Sequence, residues 1–151
     1  MTKDIEKFIG QEFEPYTFQV EQGKIKEFVQ AIGDGNPIYT DREQAVAAGF
    51  RDVTVPPTFA TVIDLWGGRD FFQICEALEL NPLKVLHGEQ EYEYLVEINP
   101  GDEITARSKV THAVSKPSSS GGMNLLTMET VYTNQRGETV LIARSTVIER
   151  F

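Results

Sequence analysis

The chain has 151 residues, of which 40% are hydrophobic and 25% are charged. This composition is ordinary for a single globular domain, spanning 1–151, that buries a core without disulfides. Its formal net charge of −9 argues against a nucleic-acid partner, because phosphate contacts need clustered Lys and Arg. With a single cysteine, no signal-like N-terminus and no run of roughly 20 apolar residues, the sequence predicts a cytoplasmic protein outside the membrane, without a disulfide framework.

The first third of the sequence predicts one short strand and two helices. The strand is predicted at residues 16–20. Residues 22–33 repeat apolar side chains at helical spacing, and Gly33 ends this helix. Asp41 is placed to cap a second, short helix that Gly49 ends.

The middle of the chain predicts a buried helix. Pro56 and Pro57 force extended backbone on the residues before them. Residues 58–80 are then apolar around most of the helical circumference, which predicts a helix surrounded by other structure. Gly67 and Gly68 are expected to break or kink it.

From Lys84 onward the period changes to that of β-strands. In residues 85–98 one face is apolar, and the other carries His87 and several glutamates. Turns are predicted at Asn99–Asp102 and Asn134–Gly137, and a mobile loop at 115–122. About five strands and one long apolar helix predict an α+β hotdog fold, in which a curved antiparallel sheet wraps around a central α-helix.

Three segments in this order resemble the MaoC-like dehydratase/hydratase family, and within it the N-terminal, FAS1-like dehydratase type of domain. They read GDGNPIYTDREQAVAAGF, VPPTFATV and LHGEQEYEYLVEINPGD. The resemblance implies a hotdog domain that works as a homodimer or as a heterodimer with a catalytic MaoC-like subunit. It also implies acyl-CoA or acyl carrier protein thioesters as ligands, and reversible hydration of a trans-2-enoyl thioester to the (R)-3-hydroxyacyl thioester as the reaction, without a cofactor.

Active members of this family use an Asp and a His five positions later, together with a backbone N–H at the start of the central helix. Here Asp34 and Asn36 match the pattern, but Tyr39 stands at the His position. A phenol, with a pKa of about 10 against about 6.5 for imidazole, is a poor base at neutral pH. Pro57 falls where a Gly would supply the N–H, and proline has none; the N–H of Thr58 substitutes only if the backbone shifts by one residue.

The sequence therefore predicts an incomplete active site with a small set of candidate residues. The candidate catalytic residues are Asp34 and Tyr39, and the candidate substrate-binding residues are Asn36, Pro57, Thr58, Phe59 and Trp66. Asp and Asn are equally suited to stabilising the turn, and the aromatic residues to filling the core. Two distant histidines and one cysteine give no ligand set for a metal.

Several functions remain open at this point. The leading hypothesis is a catalytically degenerate hydratase/dehydratase subunit that shapes the acyl channel beside a catalytic partner. The alternatives are an active homodimeric hydratase that uses Asp34 with Tyr39 as the acid, and a non-enzymatic acyl-CoA-binding hotdog protein. A hotdog thioesterase is more remote, because Asp64 is the only strong carboxylate expected inside the central helix.

Overall fold

A computed structural model describes residues 3–151 as a five-stranded antiparallel sheet with helices packed against one face. The strands are β1 (Tyr16–Gln19), β2 (Val85–Tyr94), β3 (Glu103–Ser118), β4 (Gly121–Thr133) and β5 (Thr139–Arg150). The helices are α1 (Gln22–Ile32), α2 (Arg42–Ala47), α3 (Ala60–Gly67) and α4 (Phe71–Ala77). This is the hotdog fold that the sequence predicts.

The order of the strands in the sheet is β1-β3-β4-β5-β2, and every neighbouring pair is antiparallel. The long strands β3, β4 and β5 follow one another along the chain, so two hairpins build the middle of the sheet. Strand β2 precedes them in sequence and pairs only with β5. Within residues 3–151 its other side is therefore an unpaired edge.

Local sequence signals account for most of the element boundaries. Helix α1 ends at Gly33, whose backbone is left-handed with φ of 71°. The Asp41 side chain accepts hydrogen bonds from the first N–H groups of α2, as predicted. The turn at Asn134–Gly137 is also confirmed, because the Asn134 carboxamide oxygen accepts the N–H groups of Arg136 and Glu138.

The predicted break in the central helix is confirmed at Gly67 and Gly68. A Cβ atom on Gly68 would lie 2.7 Å from the carbonyl oxygen of Asp64, so the backbone passes where only glycine fits. Asp70 then starts α4 with a capping box, exchanging hydrogen bonds with Gln73. None of the helices described for residues 3–151 is long and apolar enough to cross a membrane.

The prediction that this helix is surrounded on all sides is wrong for the chain by itself. Phe59 and Ile63 are fully buried against the sheet. On the opposite side, however, Leu65 is 77% exposed and Trp66 is 68% exposed, and Phe72 of α4 is exposed as well. Apolar residues all around a helix indicate packing on every side, and the sheet covers one side only.

Strand β2 differs from the predicted alternation. His87 pairs with Val147, but Glu89 pairs with Thr146, so Gly88 forms a bulge that shifts the register by one residue. His87 therefore lines the concave side of the sheet, not the polar outer face that the alternation indicates. The strand also ends at Tyr94, four residues before the alternation does.

The prediction of a mobile loop at 115–122 is also wrong. Strand β3 continues to Ser118 and strand β4 starts at Gly121, so only a tight turn separates them.

The helices and the sheet enclose two separate apolar clusters. One surrounds Phe59 and Tyr132, and the other surrounds Leu78 and Leu126.

Candidate functional site

The loop between α1 and α2 is held by its own side chains. The Asp34 carboxylate accepts a hydrogen bond from the N–H of Asn36 at 3.0 Å. The Asn36 carboxamide oxygen accepts the N–H of Ile38 at 3.2 Å and so caps a short 3-10 turn, Pro37–Tyr39. Both predicted polar residues thus stabilise the turn, which is the structural role that Asp and Asn commonly have there.

Tyr39 ends this turn as a buried residue that is only 8% exposed. Burial raises the pKa of its phenol, and the negative charge of Asp34 raises it further. The phenol is therefore protonated at neutral pH and can donate a hydrogen bond. Both residues belong to the loop between α1 and α2.

A cavity of about 350 Å³ lies beside Tyr39. Its walls are formed by the end of the loop, the extended segment before α3 and the segment that follows β2; they include Tyr39, Thr54, Pro57, Tyr94, Leu95 and Ile98. The lining is mostly apolar, as is usual for sites that bind organic ligands. Neither His87 nor His112 is among the lining residues, so no histidine replaces the missing base here.

The start of the central helix is also altered. The Tyr94 hydroxyl donates a hydrogen bond of 2.7 Å to the carbonyl oxygen of Pro57, and burial raises the pKa of that hydroxyl. Pro57 has no N–H to offer. The N–H groups of Thr58 and Ala60 have no protein acceptor within residues 3–151, so two free amides remain at this end of α3.

Two predicted substrate-binding residues lie away from this cavity. Phe59 is 0% exposed and makes edge-to-face contacts with Phe18 and Phe28, at centroid distances of 6.3 and 5.9 Å. Trp66 points outward, and the Lys24 ammonium lies 4.0 Å from the centroid of its ring. Of the predicted site residues, the cavity is therefore lined by Tyr39 and Pro57 but not by Asp34, Asn36, Thr58, Phe59 or Trp66.

A second polar cluster, inside the protein, was not predicted from the sequence. The hydroxyls of Tyr16 and Tyr132 both donate to one oxygen of Asp64, each at 2.6 Å. Burial raises the pKa of the Asp64 carboxyl, and the two hydrogen bonds oppose this shift. These residues come from β1, α3 and β4, so only the folded sheet brings them together.

No group of three or more His, Cys, Asp or Glu side chains within residues 3–151 is arranged to hold a metal ion. Chemistry at the first cavity would therefore rest on the hydroxyls of Tyr39 and Tyr94 and on the carboxylate of Glu97, which is already paired with Arg51 and Asn99. These groups can donate and accept hydrogen bonds. None of them is a strong base at neutral pH.

Structures of other proteins share this fold. A chain of the ChsH1-ChsH2 complex from Mycobacterium tuberculosis superposes with a TM-score of 0.79 at 23% identity, covering 97% of this chain and 90% of that one. A chain of the HadBC (3R-hydroxyacyl-ACP dehydratase) complex from the same organism gives a TM-score of 0.76 at 20% identity, covering 93% and 96%. At such low identity these similarities establish the fold alone.

Similarity in sequence extends along nearly the whole chain. A UPF0336 protein of Saccharopolyspora erythraea is 36% identical over 146 residues, which are 96% of this chain and 90% of that protein. A UPF0336 protein of Thermobifida fusca is 33% identical over 144 residues, covering 95% and 91%. The family model of the FAS1-like dehydratase domain region matches residues 7–143. The chain therefore belongs to the FAS1-like dehydratase domain family of hotdog proteins, whose structural neighbours include MaoC-like dehydratases.

Proposed function

We propose that this chain is a catalytically incomplete subunit of an (R)-specific enoyl thioester hydratase or 3-hydroxyacyl thioester dehydratase. The observation that carries the proposal is the state of Tyr39, a buried phenol with a raised pKa at the position where an active enzyme needs a base. Hydration requires a group that takes a proton from water, and a protonated phenol does not do so. The subunit would shape the acyl-binding channel, and its partner would supply the base.

The start of α3 supports the same conclusion independently. Charge develops on the thioester oxygen during the reaction and is stabilised by N–H groups aimed at it. Pro57 has no N–H, and its carbonyl oxygen already accepts the Tyr94 hydroxyl. Free N–H groups remain on Thr58 and Ala60, beyond the expected position, so both the base and the placement of the oxyanion donor are altered.

The open edge of the sheet supports a partner. Strand β2 has ten residues, and exposed edges of this length are usually covered or paired. Tyr94 and Leu95 are exposed beside the Tyr39 cavity, so a partner at this edge would also close the cavity.

The net charge bears on the kind of partner. A charge of −9 disfavours pairing with a second copy of this chain and favours a less acidic hotdog subunit that carries an intact Asp and His. The HadBC and ChsH1-ChsH2 neighbours are themselves two-component complexes.

The test compares the isolated chain with a mixed complex. The isolated chain should hydrate a trans-2-enoyl-CoA at a rate near the background, while the chain co-purified with a catalytic MaoC-like subunit from the same genome should turn it over. Absorbance of the enoyl thioester follows the reaction. As a control, His→Ala in the partner's Asp-x-Asn-Pro-x-His motif should abolish turnover. Equal rates for the isolated chain and the complex would contradict the proposal.

One alternative is an active homodimer in which Asp34 is the base and Tyr39 the acid, and it draws on the charge of Asp34, which raises the pKa of the Tyr39 phenol. The Asp34→Asn variant distinguishes this alternative from the proposed function. The carboxamide oxygen still accepts the Asn36 N–H, so the turn remains, but the charge is lost. We expect the mixed complex with Asp34→Asn to retain at least half of its turnover rate and its melting temperature. A loss of a hundredfold or more at unchanged melting temperature would instead support Asp34 as a catalytic base.

A further inference from the structure

The edge strand β2 carries a row of three glutamates on the outer face of the sheet, the side that points away from the helices. Tyr92 packs against the core, so the alternation of the strand turns Glu91 and Glu93 to the other side, and Glu89 with them. The pairing of β2 with β5 runs without interruption from Glu89 to Tyr94, so this alternation holds over the whole row. All three glutamates are exposed to solvent.

The neighbouring strands neutralise this row only in part. Arg144 of β5 lies opposite Glu91, and its guanidinium is 2.7 Å from the carboxylate of Glu91 and 3.4 Å from that of Glu93. The same guanidinium is 3.1 Å from the carboxylate of Glu129 on β4. Glu89 has no ion-pair partner within residues 3–151. The outer face at this edge therefore keeps a local negative charge.

A depression of about 540 Å³ adjoins the row on the outer face. Its lining is entirely polar or charged and consists of Glu89, Gln90, Glu91, Thr127, Arg144 and Thr146. The two carboxylates belong to the edge strand, so they are the charged groups of the depression that lie nearest to a partner strand. A lysine or arginine side chain is long enough to reach across the edge, and the carboxylates favour a cation there.

Antiparallel pairing of β2 with the same strand of a second copy would bring these charges together. Residues that lie directly opposite each other on paired strands point to the same face, so outward residues meet outward residues. With a two-fold axis at Gln90, Glu89 lies opposite Glu91 of the second copy. With the axis at Glu91, Glu89 lies opposite Glu93, and with the axis at Tyr92, Glu91 lies opposite Glu93. Like charges in these positions destabilise the pair.

We propose that the row of Glu89, Glu91 and Glu93 selects the partner at this edge. The partner that fits is a hotdog subunit whose own edge strand carries Lys or Arg at the outward positions that face the row. The same row excludes a second copy of this chain, so one set of charges attracts the right partner and rejects the wrong one. The selection depends on one edge strand and not on the net charge of either subunit. It rests on the proposed function only in that a partner subunit covers this edge.

Self-association of the isolated full chain gives the first test, measured by sedimentation velocity. Glu89→Lys places a lysine opposite Glu91 or Glu93 of a second copy, and Glu89 has no ion pair within residues 3–151 to lose. At low ionic strength this variant should self-associate at least tenfold more tightly than the natural chain. Concentrated salt should reduce the difference, because it screens exposed charges. A variant that self-associates no more tightly than the natural chain overturns the proposal.

Assembly with the catalytic MaoC-like subunit from the same genome gives the second test. Glu89→Lys should weaken this assembly at least tenfold, because the lysine would face a cation of the partner. Reversing the outward Lys or Arg of the partner's edge strand to Glu should restore the affinity. A general loss of stability would weaken both kinds of association, whereas we expect effects of opposite sign. The melting temperature of the isolated variant should be unchanged, since Glu89 is exposed.

Glu103→Lys is the matched control. Glu103 is exposed at the start of β3, which β4 and β5 separate from the β2 edge, and its substitution changes the net charge by the same amount. It should alter neither association. Equal effects of Glu103→Lys and Glu89→Lys would show that net charge and not the row selects the partner, which overturns the proposal.

The failure of the proposed function and the failure of this inference give different results. If no catalytic subunit assembles with the chain, the proposed function fails, and the self-association of Glu89→Lys still decides whether the row excludes a second copy. If the mixed complex forms and hydrates the enoyl thioester, but Glu89→Lys binds the partner as tightly as the natural chain does, the proposed function stands and the inference is wrong.

Discussion

Replacing Asp64 by Ala is expected to lower the free energy of unfolding by about 3 kcal/mol, because the hydroxyls of the buried Tyr132 and the half-buried Tyr16 lose their acceptor and an unpaired buried donor costs about 1–3 kcal/mol. Asp64→Asn is the matched control. It retains a carbonyl oxygen at the same place and should cost about 1 kcal/mol. Urea unfolding followed by circular dichroism measures both. Losses below about 1 kcal/mol for both variants would show that this cluster contributes little to stability.

The same cluster predicts a pH dependence with a definite sign. Burial raises the pKa of Asp64 in the folded state above its ordinary value near 4. The folded protein therefore holds this proton more tightly than the unfolded chain does. The stability that the raised pKa of Asp64 contributes is fully present below about pH 4 and is lost as the pH rises through the pKa of the folded state.

The Asp64→Asn variant has no carboxyl at position 64. Comparing it with the natural protein therefore separates the titration of Asp64 from that of the other carboxyls. The stability of the natural protein relative to the Asn variant should therefore be greatest near pH 4 and decrease toward neutral pH. Urea unfolding of both proteins between pH 4 and 8 measures this difference. A difference that increases with pH would mean that the two tyrosine hydrogen bonds outweigh the effect of burial on the pKa.

Leu95→Arg is expected to weaken assembly with a partner subunit at least a hundredfold, corresponding to about 2.8 kcal/mol. Leu95 is 52% exposed, follows the edge strand β2 and lines the Tyr39 cavity. A charge placed there would be desolvated when a partner covers the edge and would have no counter-charge. Sedimentation of the co-purified complex measures the loss, and the melting temperature of the isolated chain should remain unchanged.

Val114→Arg provides the control for that experiment. Val114 is similarly apolar and is 43% exposed, but it lies on β3, which β4 and β5 separate from the β2 edge. The partner subunit should bind this variant as tightly as it binds the natural protein. If Val114→Arg dissociates the complex and Leu95→Arg does not, the partner does not bind at the edge that we propose.

The hotdog fold was predictable because its signals are local. Gly33 ends α1 with a left-handed backbone, Asp41 caps α2, and a turn joins β4 to β5 at Asn134. Each of these features depends on residues within a few positions of one another. The alternation in the second half of the chain then indicated a sheet with one apolar face, and the apolar helix was the element available to cover it.

Of the residues that line the first candidate site, the sequence indicated Tyr39 and Pro57 by comparison with a family pattern. It could not indicate Tyr94, whose hydroxyl reaches Pro57 across 37 positions of sequence. It also placed His87 on the wrong side of β2, because the single bulge at Gly88 reverses the faces of the residues before it. Alternation alone does not reveal where a bulge occurs.

The sequence by itself determined the fold, the family and the absence of a histidine at position 39. Only the tertiary structure decided how the interior is divided. Tyr16, Asp64 and Tyr132 are far apart in sequence, and their hydrogen bonds exist only once β1, α3 and β4 are packed together. Local propensity and periodicity act over a few residues, whereas a buried polar cluster depends on the packing of distant segments, which no short stretch of sequence specifies.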